Sequence, residues 1–586
     1  MCPFRQIAGR IALAVGVPFV LLAMVEMLWR GLDLGYPTTF LLNATVRGQP
    51  ALVDNPFYGY RFFSPSLARN PAPILTWPDK APGVRRIVVL GESAAQGDPL
   101  MEFGLPRMLE GLLNEAAATG RFEVINAAVT AINSTIITDI AKQTAACRPD
   151  VYVLYIGNNE VIGPYGPGTV FTPWPGLIRL APFRVWLTRF RLSFALREAL
   201  SALGGSGRRT AGWGGLAMFS ERPVALGSPG LETMYNLYER NLRSIIRTAR
   251  GAGAQVILCT VAVNLADCPP FGGEEAKSEY ERARQAQAND QPDAAAVTFR
   301  KARDLDTSRF RADSVLNERV RQLAAEEQAP LADTEEALAA LAGGAPGREL
   351  FADHVHFTFR GAQAVARVIS EAVAPLYPEA FSSSVWPDEE ALKQRLLYTP
   401  WSELQMALIM ADRRGHPPFT GQPHNEEQRE DLTRRAEQMS RVIQSADLEA
   451  LGRRYQTLRE AHPADFFLPF QWGAILCDRG RWEEAAAVMR PALESVPYHF
   501  EARKLPALAL CRSGRVGEAA DVLLGPAAHR GAFVAEYGLE IMGLLMQQGH
   551  RDLAMKLGQR LLEKDPRLPW RERIQAAMAA IPAMTP

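Results

Sequence analysis

Short, unbroken apolar runs recur along the first two thirds of the chain, at residues 86–90 (RIVVL), 122–126 (FEVIN), 151–156 (VYVLYI) and 255–263 (QVILCTVAV), with a weaker one at 330–333. Runs of this length without polar alternation suit strands buried on both faces. Helix-like segments at 101–118, 138–146 and 361–376 lie between and after them. Strand then helix, repeated, predicts the α/β class, a parallel sheet covered by helices. The gap between the third and fourth runs is too long for one crossover and predicts an insertion.

That sheet cannot be the whole molecule. A chain of 586 residues exceeds what one hydrophobic core accommodates, so at least two domains are expected. Lys plus Arg equals Asp plus Glu at 64 each, which leaves no excess positive charge to displace counterions and argues against nucleic acid as a partner. The six cysteines (Cys2, Cys147, Cys259, Cys268, Cys477, Cys511) are scattered, without ligand spacing, and predict neither a disulfide scaffold nor a zinc site.

Near the start, residues 11–28 form an apolar run of eighteen residues whose single charge is Glu26. A helix of that length nearly spans the hydrocarbon core. Arg5 and Arg10 precede it, which predicts a cytoplasmic N-terminus and an exported remainder. No A-x-A-like site follows, so an uncleaved signal anchor is expected over a cleaved signal peptide or a buried core helix. Within the insertion, residues 175–203 mix large apolar groups with Arg179, Arg184, Arg189, Arg191 and Arg197. The pattern fits an amphipathic helix on an anionic membrane surface or a helical lid packed on its own domain, with 204–215 as a flexible tether.

Beyond the α/β region the pattern is purely helical and periodic. Gly480, Gly514 and Gly549 are spaced 34 and 35 residues apart, and Ala485, Ala519 and Ala554 keep the same offsets. With Gly473, Ala492 and Pro497, these positions match a tetratricopeptide-like repeat, about three units stacked into a solenoid. A similar hairpin is expected at 279–307, on Ala295, Phe299 and Ala302.

The candidate chemistry sits at the strand ends. The first run ends Gly91-Glu92-Ser93, which puts a hydroxyl at the carboxyl edge of the sheet, where open α/β folds bind ligands. Position 95 is Ala, so the G-x-S-x-G nucleophile elbow is absent. Asp353-His354-Val355-His356 sets a carboxylate three residues before an imidazole; on a helical turn Asp353 would orient His356 as general base for Ser93, with His354 pointing elsewhere. Backbone N–H groups of Ser93 and Ala131, with the Asn159 amide, are the candidate oxyanion donors.

Gly91-Glu92-Ser93, the segment Asn126 to Ala131, Gly157-Asn158-Asn159 and Asp353-His354-Val355-His356, in this order, resemble the four blocks of the SGNH hydrolases, the GDSL esterase/lipase superfamily. The resemblance covers about residues 86–377. It implies a flavodoxin-like three-layer sandwich, acyl-ester hydrolase or acyltransferase activity, a triad of Ser93, Asp353 and His356, an oxyanion hole of Ser93, Ala131 and Asn159, and no metal or other cofactor. Two departures stand out: Glu92 where the family usually has Asp, and Ala131 where it has Gly. If position 131 needs a positive φ, the alanine costs about 1 to 2 kcal/mol.

The expected organisation is a membrane helix at 1–32, a linker at 33–82, an SGNH hydrolase domain at 83–380 with helical insertions at about 165–250 and 275–316, a helical connector at 381–447, and an all-α repeat solenoid at 448–586. The expected protein is single-pass, membrane-anchored, with its hydrolase domain extracytoplasmic (periplasmic). Its expected partners are an acyl-ester substrate on an envelope polysaccharide or lipid, the membrane through the N-terminal helix, and a protein bound by the repeats. An O-acyltransferase on the same triad and a non-catalytic scaffold are the alternatives. Cys477 and Cys511, at the same position of adjacent repeats, are expected to stay thiols.

Overall fold

The computed structural model describes residues 3–64, 67–171, 177–203, 215–219, 222–381, 385–497, 499, 501–525, 532–564 and 571–580. The tether expected at 204–215 lies, but for Gly215, outside the described residues, as do Cys2 and residues 175 and 176 of the insertion.

The central sheet is built from β4 (Val84–Gly91), β5 (Arg121–Asn126), β6 (Val151–Tyr155), β7 (Gln255–Cys259) and β8 (Leu331–Ala332). All its pairings are parallel, in the order β5-β4-β6-β7-β8. Numbered from β4, that is the 2-1-3-4-5 order of flavodoxin-like folds. Its central strands are apolar throughout because both faces are covered: Ile87, Val88, Val89 and Leu90 of β4 are fully buried. One face packs α3 (Leu105–Ala116) and α12 (Phe359–Val373), and the other packs α4 (Ser134–Thr144) and α7 (Pro229–Gly251). Short α2 (Ser93–Gln96) follows β4 directly. The topological switch point, where the connections from β4 and β5 part to opposite sides, therefore lies at the end of β4, beside Ser93.

Two regions differ from the pattern expected of them. The stretch 33–82 carries an antiparallel sheet of β1 (Leu41–Val46), β2 (Gln49–Asp54) and β3 (Leu75–Thr76). α1 (Pro3–Gly31) is a helix, but the expectation of a single-pass membrane protein is corrected: among the described residues no helix is long and apolar enough to cross a membrane. Pro18 lies inside it, and its C-terminal half is held by polar bonds to protein. The Glu26 carboxylate pairs with Arg30 at 2.6 Å and accepts the N–H groups of Arg191 and Leu192 at 3.0 Å each.

Those two residues open α6 (Arg191–Leu203), which follows α5 (Ala181–Leu187) in the first insertion. The insertion's arginines mostly turn inward. Arg189 pairs with Asp139 at 2.6 Å, Arg191 with Asp33 at 3.1 Å, Arg184 stacks 4.8 Å over the Tyr165 ring, and Arg197 donates to the Arg61 carbonyl at 3.2 Å. With four of its five cations engaged by the protein, the segment is packed on its own fold. The second insertion is the helical hairpin α8 (Glu274–Ala288) and α9 (Pro292–Leu305), with Ala295, Phe299 and Ala302 buried between them. It is followed by α10 (Ser314–Glu326) and α11 (Thr334–Leu341).

After α12 the chain is helical: α13 (Pro378–Phe381), α14 (Glu389–Arg395), α15 (Pro400–Arg414), α16 (Asn425–Gln444) and α17 (Leu448–Ala461). Three hairpins follow, α18 (Phe467–Asp478) with α19 (Trp482–Leu493), α20 (Lys504–Arg512) with α21 (Val516–Leu524), and α22 (Ala532–Gln547) with α23 (Arg551–Lys564), and then α24 (Arg571–Ala579). The 34-residue period has a local cause. Gly480, Gly514 and Gly549 stand at φ of 71°, 80° and 80° in the three inter-helix turns, a left-handed conformation that closes a helix and suits glycine. The following residue donates back in the same way each time, Arg481 to Leu476, Arg515 to Leu510 and His550 to Leu545. Ala485, Ala519 and Ala554, fully buried, mark the close helix crossings. Cys477 and Cys511 are buried free thiols, both pushed up to about 12 by burial.

The helical region is docked on the α/β region rather than tethered to it. Leu392 and Leu396 complete the main core, Phe57 and Tyr60 pack into the core of α18 and its neighbours, and Arg107 of α3 pairs with Asp465 at 2.9 Å.

Candidate active site

Ser93 is the first residue of α2, reached by a turn so tight that a Cβ on Gly91 would sit 2.4 Å from that of Ala95 and 2.5 Å from the Tyr155 carbonyl oxygen. Only glycine fits there. The Ser93 hydroxyl lies 2.8 Å from His356 Nε2, and His356 Nδ1 lies 2.7 Å from Asp353 Oδ2. All three residues are buried.

The Asp353–His356 contact does not come from a helical turn. The segment is a loop closed by an isolated bridge between Phe351 and Phe357, and α12 begins only at Phe359. Inside it, Asp353 Oδ1 accepts the N–H groups of Val355 (3.0 Å) and His356 (2.9 Å), an Asx-type turn that brings the two side chains together. Asn264, just past β7, holds the loop from below: its N–H donates to the His354 carbonyl at 3.0 Å and its side-chain amide to the Asp353 carbonyl at 2.9 Å. His354 does not point away from this cluster. Its Nδ1 is 3.2 Å from Asp353 Oδ1, its ring centroid is 5.6 Å from that of His356, and it is packed edge-on against Phe271 and Phe419.

Of the three expected oxyanion donors, Asn159 is 9% exposed and its Nδ2 has no hydrogen-bond partner among the described residues. Ala131 holds φ of +64°, the strained conformation anticipated for an alanine at that position. Its segment is anchored by Gln96, whose side-chain oxygen accepts the Thr130 N–H (3.1 Å) and hydroxyl (2.7 Å). Glu92, in place of the aspartate usual in the resembling family, accepts the N–H groups of Asn158 (2.8 Å) and Asn159 (3.2 Å) with Oε2 and so fixes the turn that carries Asn159.

Two residues that sequence reasoning passed over face the imidazole. Asp98 Oδ2 is 3.3 Å from His356 Nε2. Arg413, from the C-terminal end of α15, reaches Asp353 Oδ2 at 2.8 Å with Nη1 and Asp98 Oδ2 at 2.7 Å with Nη2. Asp98 lies five residues after Ser93 and was within reach of a local argument; Arg413 carries no motif and stands 57 residues beyond His356.

Charge follows this geometry. Burial pushes the Asp353 carboxyl up, but the imidazoles of His356 and His354 outweigh it and hold Asp353 well below the usual carboxylate range. Burial pushes His356 down, and the carboxylates of Asp353 and Asp98 overcome it, so its imidazole is raised despite Arg413. Burial wins at His354, which is lowered. Glu92 is raised well above its ordinary value by burial and by neighbouring Glu160, itself raised by burial to about 7. Asp353, His354 and His356 bring potential metal-ligand atoms within 4.8 Å of one another. The donor set suits a cation poorly, because Asp353 Oδ2 is already shared between His356 and the Arg413 guanidinium, whose charge repels a second cation. A cavity of about 1000 Å³ between the β1–β3 sheet, α3, β5 and residues 461–467 is lined by none of Ser93, Asp353 and His356.

A parallel sheet of flavodoxin-like order with a serine, histidine and aspartate converging at its switch point is the arrangement of an SGNH-like α/β fold. Residues 89–364 match the model of the GDSL-like Lipase/Acylhydrolase family, and this segment is a GDSL-like domain. No curated protein matches the chain. Solved structures similar to it include an acetylxylan esterase, Axe2, from Geobacillus stearothermophilus (14% identity over 49% of this chain and 94% of that one, TM-score 0.27). An acetyl xylan esterase, AlAXEase (16%, 49% and 99%, TM-score 0.27), and a GDSL-like lipase from Bacteroides thetaiotaomicron (12%, 50% and 89%, TM-score 0.25) are also similar.

Proposed function

We propose that the chain is a serine acyl-ester hydrolase in which Ser93 is the nucleophile, His356 the general base and Asp353 its orienting carboxylate. The observation that carries the reading is the single imidazole joined to the serine hydroxyl on one nitrogen and to a buried carboxylate on the other, at 2.8 and 2.7 Å. Neutral His356 takes the Ser93 proton at Nε2 as Oγ attacks the ester carbonyl carbon, a step in which a positioned base contributes roughly two to four orders of magnitude. The tetrahedral oxyanion is met by the N–H groups of Ser93 and Ala131 and by the Asn159 amide, whose Nδ2 has no hydrogen-bond partner among the described residues. Each such donor is worth about two to three orders of magnitude. His356 then gives its proton to the leaving alcohol, and water repeats the sequence on the acyl-enzyme. Asp353, held ionised, stabilises the imidazolium formed in both halves.

The hairpins from α18 to α23 support a second part of the reading, a tetratricopeptide-like module that binds a protein partner. Their common turn geometry and buried alanines are what such stacking requires. A fluorophosphonate probe tests the hydrolase: wild-type protein is expected to be labelled on Ser93 and to hydrolyse p-nitrophenyl acetate, with both lost in Ser93→Ala and hydrolysis lost in His356→Ala. Labelling that persists in Ser93→Ala would overturn the assignment.

A further inference from the structure

We propose that Arg413, which lies outside the 89–364 segment, is a positioning residue that, with Asp98, sets the basicity of His356, so that the α15–α16 hairpin is part of the catalytic apparatus. This rests on the hydrolase reading above and extends it.

One guanidinium spans both sides of the imidazole. On the Nδ1 side, Arg413 Nη1 is 2.8 Å from Asp353 Oδ2 and 3.2 Å from His356 Nδ1. On the Nε2 side, Nη2 is 2.7 Å from Asp98 Oδ2, the same oxygen that stands 3.3 Å from His356 Nε2. Without Arg413, the imidazole would lie between two carboxylates with no cation between them. Two anions at that range favour the imidazolium, which cannot accept the Ser93 proton. An unrestrained Asp98 would also compete with Ser93 for Nε2. Arg413 draws charge from both carboxylates and ties Asp98 back. The groups facing His356 are Asp353 and His354 on its own loop, Ser93 of α2, Asp98 in the turn after α2, and Arg413 of α15; Arg69 acts on Asp98 and Arg413.

The hairpin is built to hold this guanidinium in place. At the start of α15 the Ser402 hydroxyl accepts the Thr399 N–H at 3.3 Å. At its far end, Arg414 donates to Asn425 Oδ1 at 3.3 Å and receives the Asn425 amide on its carbonyl at 3.0 Å, which closes the turn into α16. Within that turn Phe419 packs against Phe271 and His354, with ring centroids 5.5 and 6.1 Å away, and Gln422 donates to the Pro269 carbonyl at 2.6 Å. The histidine loop is thus clasped from outside the GDSL-like segment.

The test is the pH profile of kcat/KM for p-nitrophenyl acetate with the full chain. The ascending limb reports His356 losing its proton. In Arg413→Gln the imidazolium is stabilised and the limb is expected to move up by roughly one pH unit; in Asp98→Asn one anion is removed and the limb moves down. Arg413→Lys, which keeps the charge, holds the limb near its wild-type position, and guanidinium ion added to Arg413→Ala restores part of the rate. A limb that stays in place in Arg413→Gln, with the same fractional loss at every pH and no guanidinium rescue, would show that Arg413 only packs. Fluorophosphonate labelling separates the levels: an unlabelled wild type overturns the hydrolase reading and this inference with it, whereas a labelled wild type with unmoved limbs overturns this inference alone.

Discussion

Ala131 sits at φ of +64°, where an L side chain costs about 1 to 2 kcal/mol. Glycine removes that cost and adds about 0.5 to 1 kcal/mol of unfolded-chain entropy. Ala131→Gly is therefore expected to stabilise the fold by roughly 0.5 to 1 kcal/mol, seen as a higher urea midpoint; a lower midpoint would mean the backbone there is not strained. Glu92 and Glu160 make a pH prediction. Both carboxyls are raised by burial above an ordinary value of 4.5, Glu160 to about 7, so the folded state keeps protons that the unfolded chain has lost. Their contribution is fully present below about pH 4.5 and is lost as pH rises through the folded values. Glu92→Gln keeps an acceptor for the Asn158 and Asn159 N–H groups and removes one of the two charges. Its urea midpoint is expected to fall less steeply between pH 5 and 8 than that of the wild type; parallel slopes would argue that Glu92 is not protonated in the folded protein.

At the scale of elements, the site depends on how α12 meets the histidine loop. A Cβ on Gly361, in the first turn of α12, would stand 1.9 Å from the Leu350 carbonyl oxygen, one residue before the bridge that closes the Asp353–His356 loop. That oxygen also receives the Thr358 N–H at 3.0 Å. Gly361→Ala must push the loop away from the helix, at about 1 to 3 kcal/mol, and should lower kcat as His356 leaves Ser93. Gly543→Ala in the middle of α22 is the counterpart: nothing lies within 4 Å of its Cβ, and a helix interior gains about 0.5 to 1 kcal/mol from the change. Thermal denaturation of the two variants should shift in opposite directions. The first insertion behaves as an element of the fold for a comparable reason: Asp139, buried in α4, takes both Arg61 at 2.7 Å and Arg189 at 2.6 Å, so an arginine available to solvent in the sequence pattern is consumed by an internal carboxylate.

For the whole molecule, the α/β region and the helical region share one structural core at their junction. Leu392 and Leu396 are fully buried against the sheet layer, the Tyr398 ring packs edge-on against Phe103 and tilted against Phe359 with centroids 4.9 and 4.5 Å away, and Arg413 completes the charge cluster at His356. A chain ended after Phe381 loses all of these and leaves Arg107 without Asp465. It is expected to aggregate or to escape fluorophosphonate labelling, whereas the full chain is labelled; a soluble, fully labelled truncation would mean the GDSL-like segment folds and works alone.

The parts legible in the sequence are those set by local physics. Apolar runs without alternation marked β4 to β7 to within a few residues, because strands buried on both faces have no polar side. The glycines at 480, 514 and 549 marked the helical turns, because each needs a left-handed backbone. Ser93, Asp353 and His356 could be singled out as candidates because strand ends and short spacings are visible in one dimension. Tertiary packing decided the rest. It replaced a helical turn by an Asx-type turn at Asp353, drew His354 back into the cluster, and paired Arg189 and Arg191 of the insertion with carboxylates far away in sequence. It tied the apolar N-terminal helix to α6 through Glu26, and it brought Arg413 to a histidine 57 residues earlier. Electrostatic partnership depends on distance in space, and nothing in the spacing of charges along a chain records which of them will meet.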